Sequence, residues 1–507
     1  MVPTLMRRLV LPVAVLLASC GGSGNDGGSD SGDTPAGTAL AALAIEELPH
    51  PHARPYDRYG ARTFLRNGGR MLVVAAPGDS TDPATGLPPG EGYVSWGAVH
   101  VFDRTHRGPW RRTALIRPIV GPNDAWAEDL AVSRDGRTIA VGALRDISRG
   151  SGIGSDPFDR PVRPPSGVAP PETGAVWVYA KGVTGWNLQA YVKAATASID
   201  GFGYGVALSD DGSRMVVGGR RDRGSSDVPR LEAVLHRFTR DAAGRWSADT
   251  PTPVALPGSG SGGNFGLSVA ISGDGGTVAA GAPWDMGGTC PGATYLVLDG
   301  HDAPSTVLRP GAQDCLLEAG ASFFGADVSM DRAGSLLAVG APREPGAPHR
   351  TSVTQDPDRA SIGRVHLFGR SSGGWTPTAV LEASNAGVGD DFGSGVRVSA
   401  DGSTVAVGAP GEAGGLSGVD PPADEGFIQS GAIYVFRRAG AASWAQVLYV
   451  KSPRPHVWGL VGDATYNGLD LDETGSQLVF GDSGSGGFTP DCAFLDVTGA
   501  VFLVRPP

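Results

Sequence analysis

The feature that most constrains this chain is a glycine-marked hairpin written seven times. Its fullest form is DDFGSGVRVSADGSTVAVGAP at 390–410. Val396 and Val398 alternate with polar residues, and Asp401-Gly402 separates them from Val405-Ala406-Val407. Asp-Gly between two apolar runs is a strong hairpin signal, because glycine takes φ > 0 without steric cost. The second arm is almost wholly apolar or small, the pattern of a strand buried on both faces. Pro410 ends it, since proline donates nothing to a ladder.

Close copies stand at 202–218, 265–283 and 324–342, and weaker ones at 65–77, 127–143 and 467–482. Each copy leads, through a variable loop, to a second signature: GAVHVFDR (97–104), GAVWVYAK (174–181), EAVLHRF (232–238), GATYLVL (292–298), GRVHLFGR (363–370), GAIYVFRR (431–438) and GAVFLVR (499–505). In five units a short turn then reaches a tryptophan: Trp110, Trp186, Trp246, Trp375 and Trp444. One unit is therefore four strands, A to D, in about 60–75 residues, the period of a propeller blade. A single blade cannot bury both of its faces, whereas seven around an axis can. The expected fold is all-β, a seven-bladed propeller of four-stranded blades; a stacked solenoid is the competing architecture. The seventh unit stops at its C strand. Residues 38–48, TALAALAIEEL, look like the D strands at 113–118 and 378–383. The N-terminal strand is thus expected to complete the last blade, removing two exposed sheet edges.

The first residues read as a targeting segment. Arg7-Arg8 precede the apolar run Leu9–Ala18, which is too short to span a bilayer comfortably. Leu17-Ala18-Ser19-Cys20 resembles the bacterial lipobox, which implies cleavage before Cys20 and lipid on its thiol. The expected organisation is a signal peptide at 1–19, a lipid-anchored flexible tether at 20–37, and a propeller at 38–507. Aspartate is absent at position 21, so outer-membrane or cell-surface placement is expected. The net charge of −11, spread thinly, gives no support for a nucleic-acid partner. An exported chain meets oxidising conditions. Cys290 and Cys315 are then a candidate disulfide, with Cys492 left odd. No Cys-x-x-Cys pair offers a thiolate zinc site.

Three pairs of motifs carry a family resemblance: Phe265-Gly266 with Gly281-Ala282-Pro283, Phe324-Gly325 with Gly340-Ala341-Pro342, and Phe392-Gly393 with Gly408-Ala409-Pro410. They resemble the FG-GAP repeat of integrin α-chain propellers, over residues 57–507, and look most like bacterial surface lipoproteins built from such repeats. The resemblance implies a seven-bladed propeller that binds other macromolecules through its loop faces. The chain departs from it in one respect. Integrin-type blades often carry an Asp-x-Asp-x-Asp-Gly calcium cage between strands A and B. Here the turn is Ser209-Asp210-Asp211-Gly212, Ser272-Gly273-Asp274-Gly275 or Ser399-Ala400-Asp401-Gly402. Calcium takes six to eight oxygens, so these aspartates read as turn formers, and no metal or other cofactor is expected; calcium held instead by the acidic long loops is the alternative.

In such a blade the B–C loops and D–A connections share one face, and the A–B and C–D turns the other. The A–B turns are short and alike. The B–C loops at 76–96, 143–173, 343–362, 411–430 and 482–498 are long and dissimilar, and binding concentrates on loops held by a rigid scaffold. The candidate ligand-face residues are Asp156, Asp159, Arg160 and Arg163 in the second blade, and Asp420, Asp424 and Glu425 in the sixth. Catalytic motifs fail on context. Gly481-Asp482-Ser483-Gly484 occupies a Gly-Ala-Pro position, and a nucleophile also needs a base and an oxyanion hole. Gly258, Gly260 and Gly263 precede a strand rather than a helix. His301-Asp302 reads as a polar turn, and His50 and His52 sit beside prolines with no carboxylate motif. The expectation is a membrane-anchored, monomeric, non-enzymatic envelope propeller that binds a protein or glycan. A hydrolase or lyase with its site in the central channel, drawing on Asp200, Asp390 and Asp391, is the first alternative. A structural subunit of an envelope assembly is the second.

Overall fold

The computed structural model describes residues 45–50, 56–81, 95–105, 108–121, 124–161, 172–195, 199–222, 231–249, 254–255, 268–288, 290–311, 322–345, 362–421, 429–440, 442–455, 459–463, 468–483 and 499–505. Their regular elements are strands, gathered into seven antiparallel sheets. Among the described residues no helix is long and apolar enough to cross a membrane.

The strands follow the repeat in order, so each sheet is one blade. Blade 1 is Arg62–Arg66, Met71–Ala76, Ala98–Asp103 and Arg111–Ile116. Blade 2 is Trp126–Val132, Thr138–Ala143, Ala175–Lys181 and Trp186–Val192. Blade 3 has Arg214–Asp222 and Leu231–Arg240 at its centre, flanked by Ile199–Asp200 with Val206–Leu208 and by Trp246–Ala248 with Val254–Ala255. Blade 4 is Val269–Ile271, Thr277–Ala282, Ala293–Leu298 and Thr306–Leu308. Blade 5 is Val328–Met330, Leu336–Ala341, Arg364–Ser371 and Gly374–Leu381. Blade 6 is Gly395–Val398, Thr404–Ala409, Ala432–Arg438 and Trp444–Lys451, with Gly418–Val419 from its B–C loop added at the outer edge.

Blade 7 holds Leu469–Leu471, Leu478–Asp482 and Ala500–Val504, and its fourth strand is Glu46–Pro49. The ring is closed as expected, with Glu46 opposite Leu503 and Leu48 opposite Val501. The pairing strand lies at the end of the 38–48 segment; residues 38–44 fall outside the described residues.

Burial follows strand position. Strand B is buried at every residue in blades 1, 2, 4, 5, 6 and 7, because it is covered by blades on both sides. Strand D is half exposed: of Arg111–Ile116 only Ile116 is buried. Four of the five tryptophans that open strand D lie under cations from the end of strand C: Arg104 over Trp110, Lys181 over Trp186, Arg240 over Trp246 and Arg438 over Trp444. The guanidinium or ammonium shields the indole of an otherwise half-exposed outer strand.

The two halves of the FG-GAP-like motif meet across neighbouring blades. The Gly281 Cα faces the Gly325 carbonyl so closely that a Cβ there would lie 2.0 Å from the oxygen. In parallel, Gly292 bridges Phe324, and Phe324 packs edge-on against His366 in its own blade. The aromatic fills the blade interior while the glycines let two backbones touch. Weaker copies keep the geometry with other residues. Blade 1 uses Tyr59-Gly60, and blade 7 uses Val461-Gly462, where Gly431 bridges Val461. In blade 2, Ala127 takes φ +65° where the motif has glycine.

The A–B turns carry their aspartates as structural caps. Ser399 Oγ donates to Asp401 Oδ1 at 2.6 Å, and the Ser403 N–H donates to the same oxygen at 3.0 Å. Asp211 and Asp274 serve their turns in the same way. The turns also join around the axis. The Asp135 N–H reaches Asp210 O, Asp210 N–H reaches Gly273 O, Gly273 N–H reaches Arg332 O, and Arg332 N–H reaches Ala400 O. This backbone girdle explains why the turns resemble one another: each must hand a hydrogen bond to the next blade.

Candidate functional site

Two regions concentrate polar side chains: the central channel and the B–C face. The channel is a cavity of about 260 Å³ lined by A strands. Its carboxylates are Asp129, Asp327 and Asp470, none of which stood out in the sequence. Each is tied to the following blade. Asp129 accepts the Val206 N–H at 2.8 Å, Asp327 the Val396 N–H at 2.8 Å, and Asp470 the Leu65 N–H at 2.9 Å. Each also holds an arginine: Arg62 on Asp129 at 3.0 Å, Arg397 on Asp327 at 2.7 Å and Arg66 on Asp470 at 2.7 Å. Burial raises the Asp129 carboxyl and lowers the Arg66 guanidinium from their ordinary values. The expected channel acids Asp390 and Asp391 lie elsewhere. Asp390 accepts the Gly387 N–H at 2.7 Å and, like Asp391, is not among the cavity residues. Asp200 falls on the strand Ile199–Asp200, and its side chain lies outside the described residues.

On the B–C face, five blades share one device. An acid three residues past the Gly-Ala-type end of strand B meets a base from the same blade. Arg117 holds Asp79 with two hydrogen bonds of 2.9 and 2.8 Å. Lys193 donates to Asp146 at 2.9 Å, and Arg309 to Asp285 at 2.9 Å. Glu344 takes Arg364 at 3.2 Å and His366 at 2.6 Å. Glu412 takes Lys451 and the Tyr449 hydroxyl. Burial opposes ionisation, yet Arg117, Lys193 and Lys451 hold the carboxyls of Asp79, Asp146 and Glu412 below the usual range. These pairs pin strand B to strand D or C beneath the loops.

The candidate loop residues divide. Asp156 and Asp159 are exposed, with Asp156 capping the Phe158 N–H at 2.9 Å. Arg160 turns inward, donating to Asp124 at 2.5 Å and Asp146 at 3.2 Å. It is a strut between the D–A connection and the B–C loop. Burial, with the Asp146 carboxylate nearby, pushes the Asp124 carboxyl up to about 8. Asp420 is exposed, and its Oδ1 accepts the Tyr449 N–H at 2.8 Å. Arg163, Asp424 and Glu425 lie outside the described residues, as do His52, Gly258, Gly260 and Gly263. Cys290 is buried and disulfide-bonded; Cys20, Cys315 and Cys492 are also outside the described residues. Asp482 accepts the Ser452 hydroxyl at 2.8 Å at the end of a buried strand, and His301-Asp302 is an exposed turn.

One cluster was missed. His50, set aside for want of a carboxylate, lies beside one. A ligand atom of each of His50, Asp79 and His100 falls within 4.8 Å of the others. The His50 ring is 4.7 Å from Tyr59 and 5.3 Å from His100. Neither ring nitrogen of His100, nor the Tyr59 hydroxyl, has a hydrogen-bond partner, and both residues are buried. Burial, with His50 adding to it, pushes the His100 imidazole down to about 3. Sequence separation hid the cluster, because its members come from the closing strand, the end of strand B and strand C.

Exposed apolar side chains also favour the B–C face. Among the described residues, Phe158 (61 %), Trp284 (40 %), Met286 (72 %) and Leu416 (45 %) stand on B–C loops, and Ile119 on a D–A connection. The opposite turns offer Val183.

No family model matches the chain, and no curated protein matches it. Solved structures do. The periplasmic gluconolactonase PpgL of Pseudomonas aeruginosa is 14 % identical, covers 82 % of this chain and 97 % of its own, and has a TM-score of 0.44. The Dos1 propeller is 12 % identical, covers 89 % and 95 %, and has a TM-score of 0.40. An acylaminoacyl peptidase is 11 % identical over 84 % of this chain and 49 % of its own, with a TM-score of 0.39.

Proposed function

We propose that the chain is a non-enzymatic propeller of the FG-GAP type, held at the cell envelope by lipid on Cys20, and that it binds a protein or glycan through its B–C face. The observation that carries this reading is the gathering of Phe158, Trp284, Met286 and Leu416 on one face of the disc. They stand on loops of blades 2, 4 and 6; binding concentrates on loops held by a rigid scaffold, and aromatic and methionine side chains are enriched in interface cores. The channel supports the same reading from the other side. Asp129, Asp327 and Asp470 each bind an arginine and a backbone amide, which leaves them poorly placed as acids or bases. The lipobox-like Leu17-Ala18-Ser19-Cys20 and the glycine-rich tether support display at the envelope.

The test is capture by immobilised protein from envelope extract and from a glycan array. The comparison is a Phe158→Ser/Trp284→Ser/Met286→Ser variant, with Val183→Ser on the far face as control. A ligand retained by the control and lost by the triple variant supports the reading. Turnover of an ester or glycan panel that disappears in a folded Asp327→Asn variant would move the function into the channel.

A further inference from the structure

We propose that His50, Asp79 and His100 form a binding site for one divalent transition metal of the zinc class, and that the ion staples the ring-closing strand to blade 1. The donor set is two imidazoles and one carboxylate, which suits zinc among common divalent ions. The donors come from three separate segments. His50 follows the closing strand Glu46–Pro49, Asp79 follows strand B of blade 1, and His100 lies within strand C.

Two observations point to a ligand beyond the cluster itself. First, both nitrogens of the buried His100 ring lack a hydrogen-bond partner. Buried polar groups are normally satisfied, and a metal ion satisfies an imidazole nitrogen. Blade 5 shows the ordinary solution at the same strand position, where His366 Nε2 bonds Glu344 directly at 2.6 Å. Blade 1 has the shorter Asp79 in place of the glutamate and a histidine at the same strand position, adds His50, and leaves the direct bond unmade. Second, the Tyr59 hydroxyl is buried without a partner, its ring 4.7 Å from His50 and 5.4 Å from His100. It supplies a fourth donor atom or a hydrogen bond to a metal-bound water.

The surroundings match a metal site. Arg117 grips both oxygens of Asp79 and fixes the carboxylate's orientation; Oδ1 also accepts the Thr81 N–H at 2.8 Å, so Oδ2, which accepts the Arg117 bond, keeps a lone pair for the ion. The Asp57 carboxylate, 3.9 Å from His50 Nε2, adds a second negative charge against the ion and Arg117. Ligand atoms of a tetrahedral zinc stand about 3.3 Å apart; the three donors lie within 4.8 Å of one another, so binding draws them closer together.

The experiment uses the full chain, stripped with chelator and titrated with Zn²⁺ by calorimetry and with Co²⁺ by visible absorption. The expected result is one ion per chain, a raised thermal midpoint, and Co²⁺ bands of tetrahedral intensity. His100→Phe is built to fold, because Phe502 holds that strand position in blade 7. His50→Gln changes only the residue after the closing strand. Each should weaken the stoichiometric site at least 100-fold and abolish the thermal shift. A folded wild-type apoprotein that binds no stoichiometric ion would overturn the proposal. So would binding unchanged in whichever of the two variants folds.

Discussion

A Cβ placed on Gly340 would lie 2.0 Å from the carbonyl oxygen of Gly393. Gly340 is the penultimate residue of strand B of blade 5 and Gly393 opens blade 6, so one steric contact joins the two halves of the repeat motif. The same approach recurs between Gly408 and Gly462 at 2.1 Å and between Gly481 and Gly60 at 2.0 Å. Gly340→Ala must push the blades apart or bend strand B. The expected cost is roughly 2–4 kcal/mol, read as a lowered thermal midpoint. Gly373→Ala, where the nearest atom is 3.7 Å away, should leave the midpoint within about 1 °C of wild type.

Glu412 and Lys451 are both fully buried and bonded to each other. Lys451→Met strands a carboxylate in the interior, at an expected cost of about 3–5 kcal/mol. The double variant Lys451→Met/Glu412→Gln should recover more than half of that loss, measured by urea unfolding. If the double variant is as unstable as the single one, packing rather than charge decides this site.

Asp124 gives a pH dependence of unusual sign. Its carboxyl is raised to about 8 in the folded chain, above the ordinary value near 3.8. The folded state therefore binds a proton that the unfolded state releases. Stability from this group is complete below about pH 4 and is lost as pH rises through about 8. Asp124→Asn keeps the group neutral at all pH. The thermal midpoint of the wild type should fall between pH 7 and 9 more steeply than that of the variant; equal slopes would refute the assignment.

Ring closure is a fourth point of test. Leu48 pairs with Val501 and packs into the core shared by blades 7 and 1. Leu48→Asp places a charge there and loosens the closing strand, exposing the edge of Ala500–Val504. The expected outcome is a thermal midpoint lower by several degrees and concentration-dependent aggregation, followed by light scattering. Glu47→Asp, on the same strand, should behave as wild type.

The amino-acid sequence by itself determined the number of blades, the order of strands within them and the closure of the ring. Those properties are written locally: alternation sets a strand, Ser-x-Asp-Gly sets a turn, and seven copies set the ring. Even the missing fourth strand of the last unit could be read, since its partner reappears at the start of the chain. Tertiary structure alone decided which polar residues face one another. Arg160 looked like a loop cation, but the blade packs it between Asp124 and Asp146. Asp129, Asp327 and Asp470 looked like ordinary strand residues, but the ring turns each toward an arginine of another blade. His50 stood among prolines with no acid nearby, and closure carried it to His100 and Asp79. The physical reason is the same in each case. A local pattern reports which face of a strand is apolar, whereas the partner of a buried charge comes from a different segment that only the closed ring brings within bonding distance.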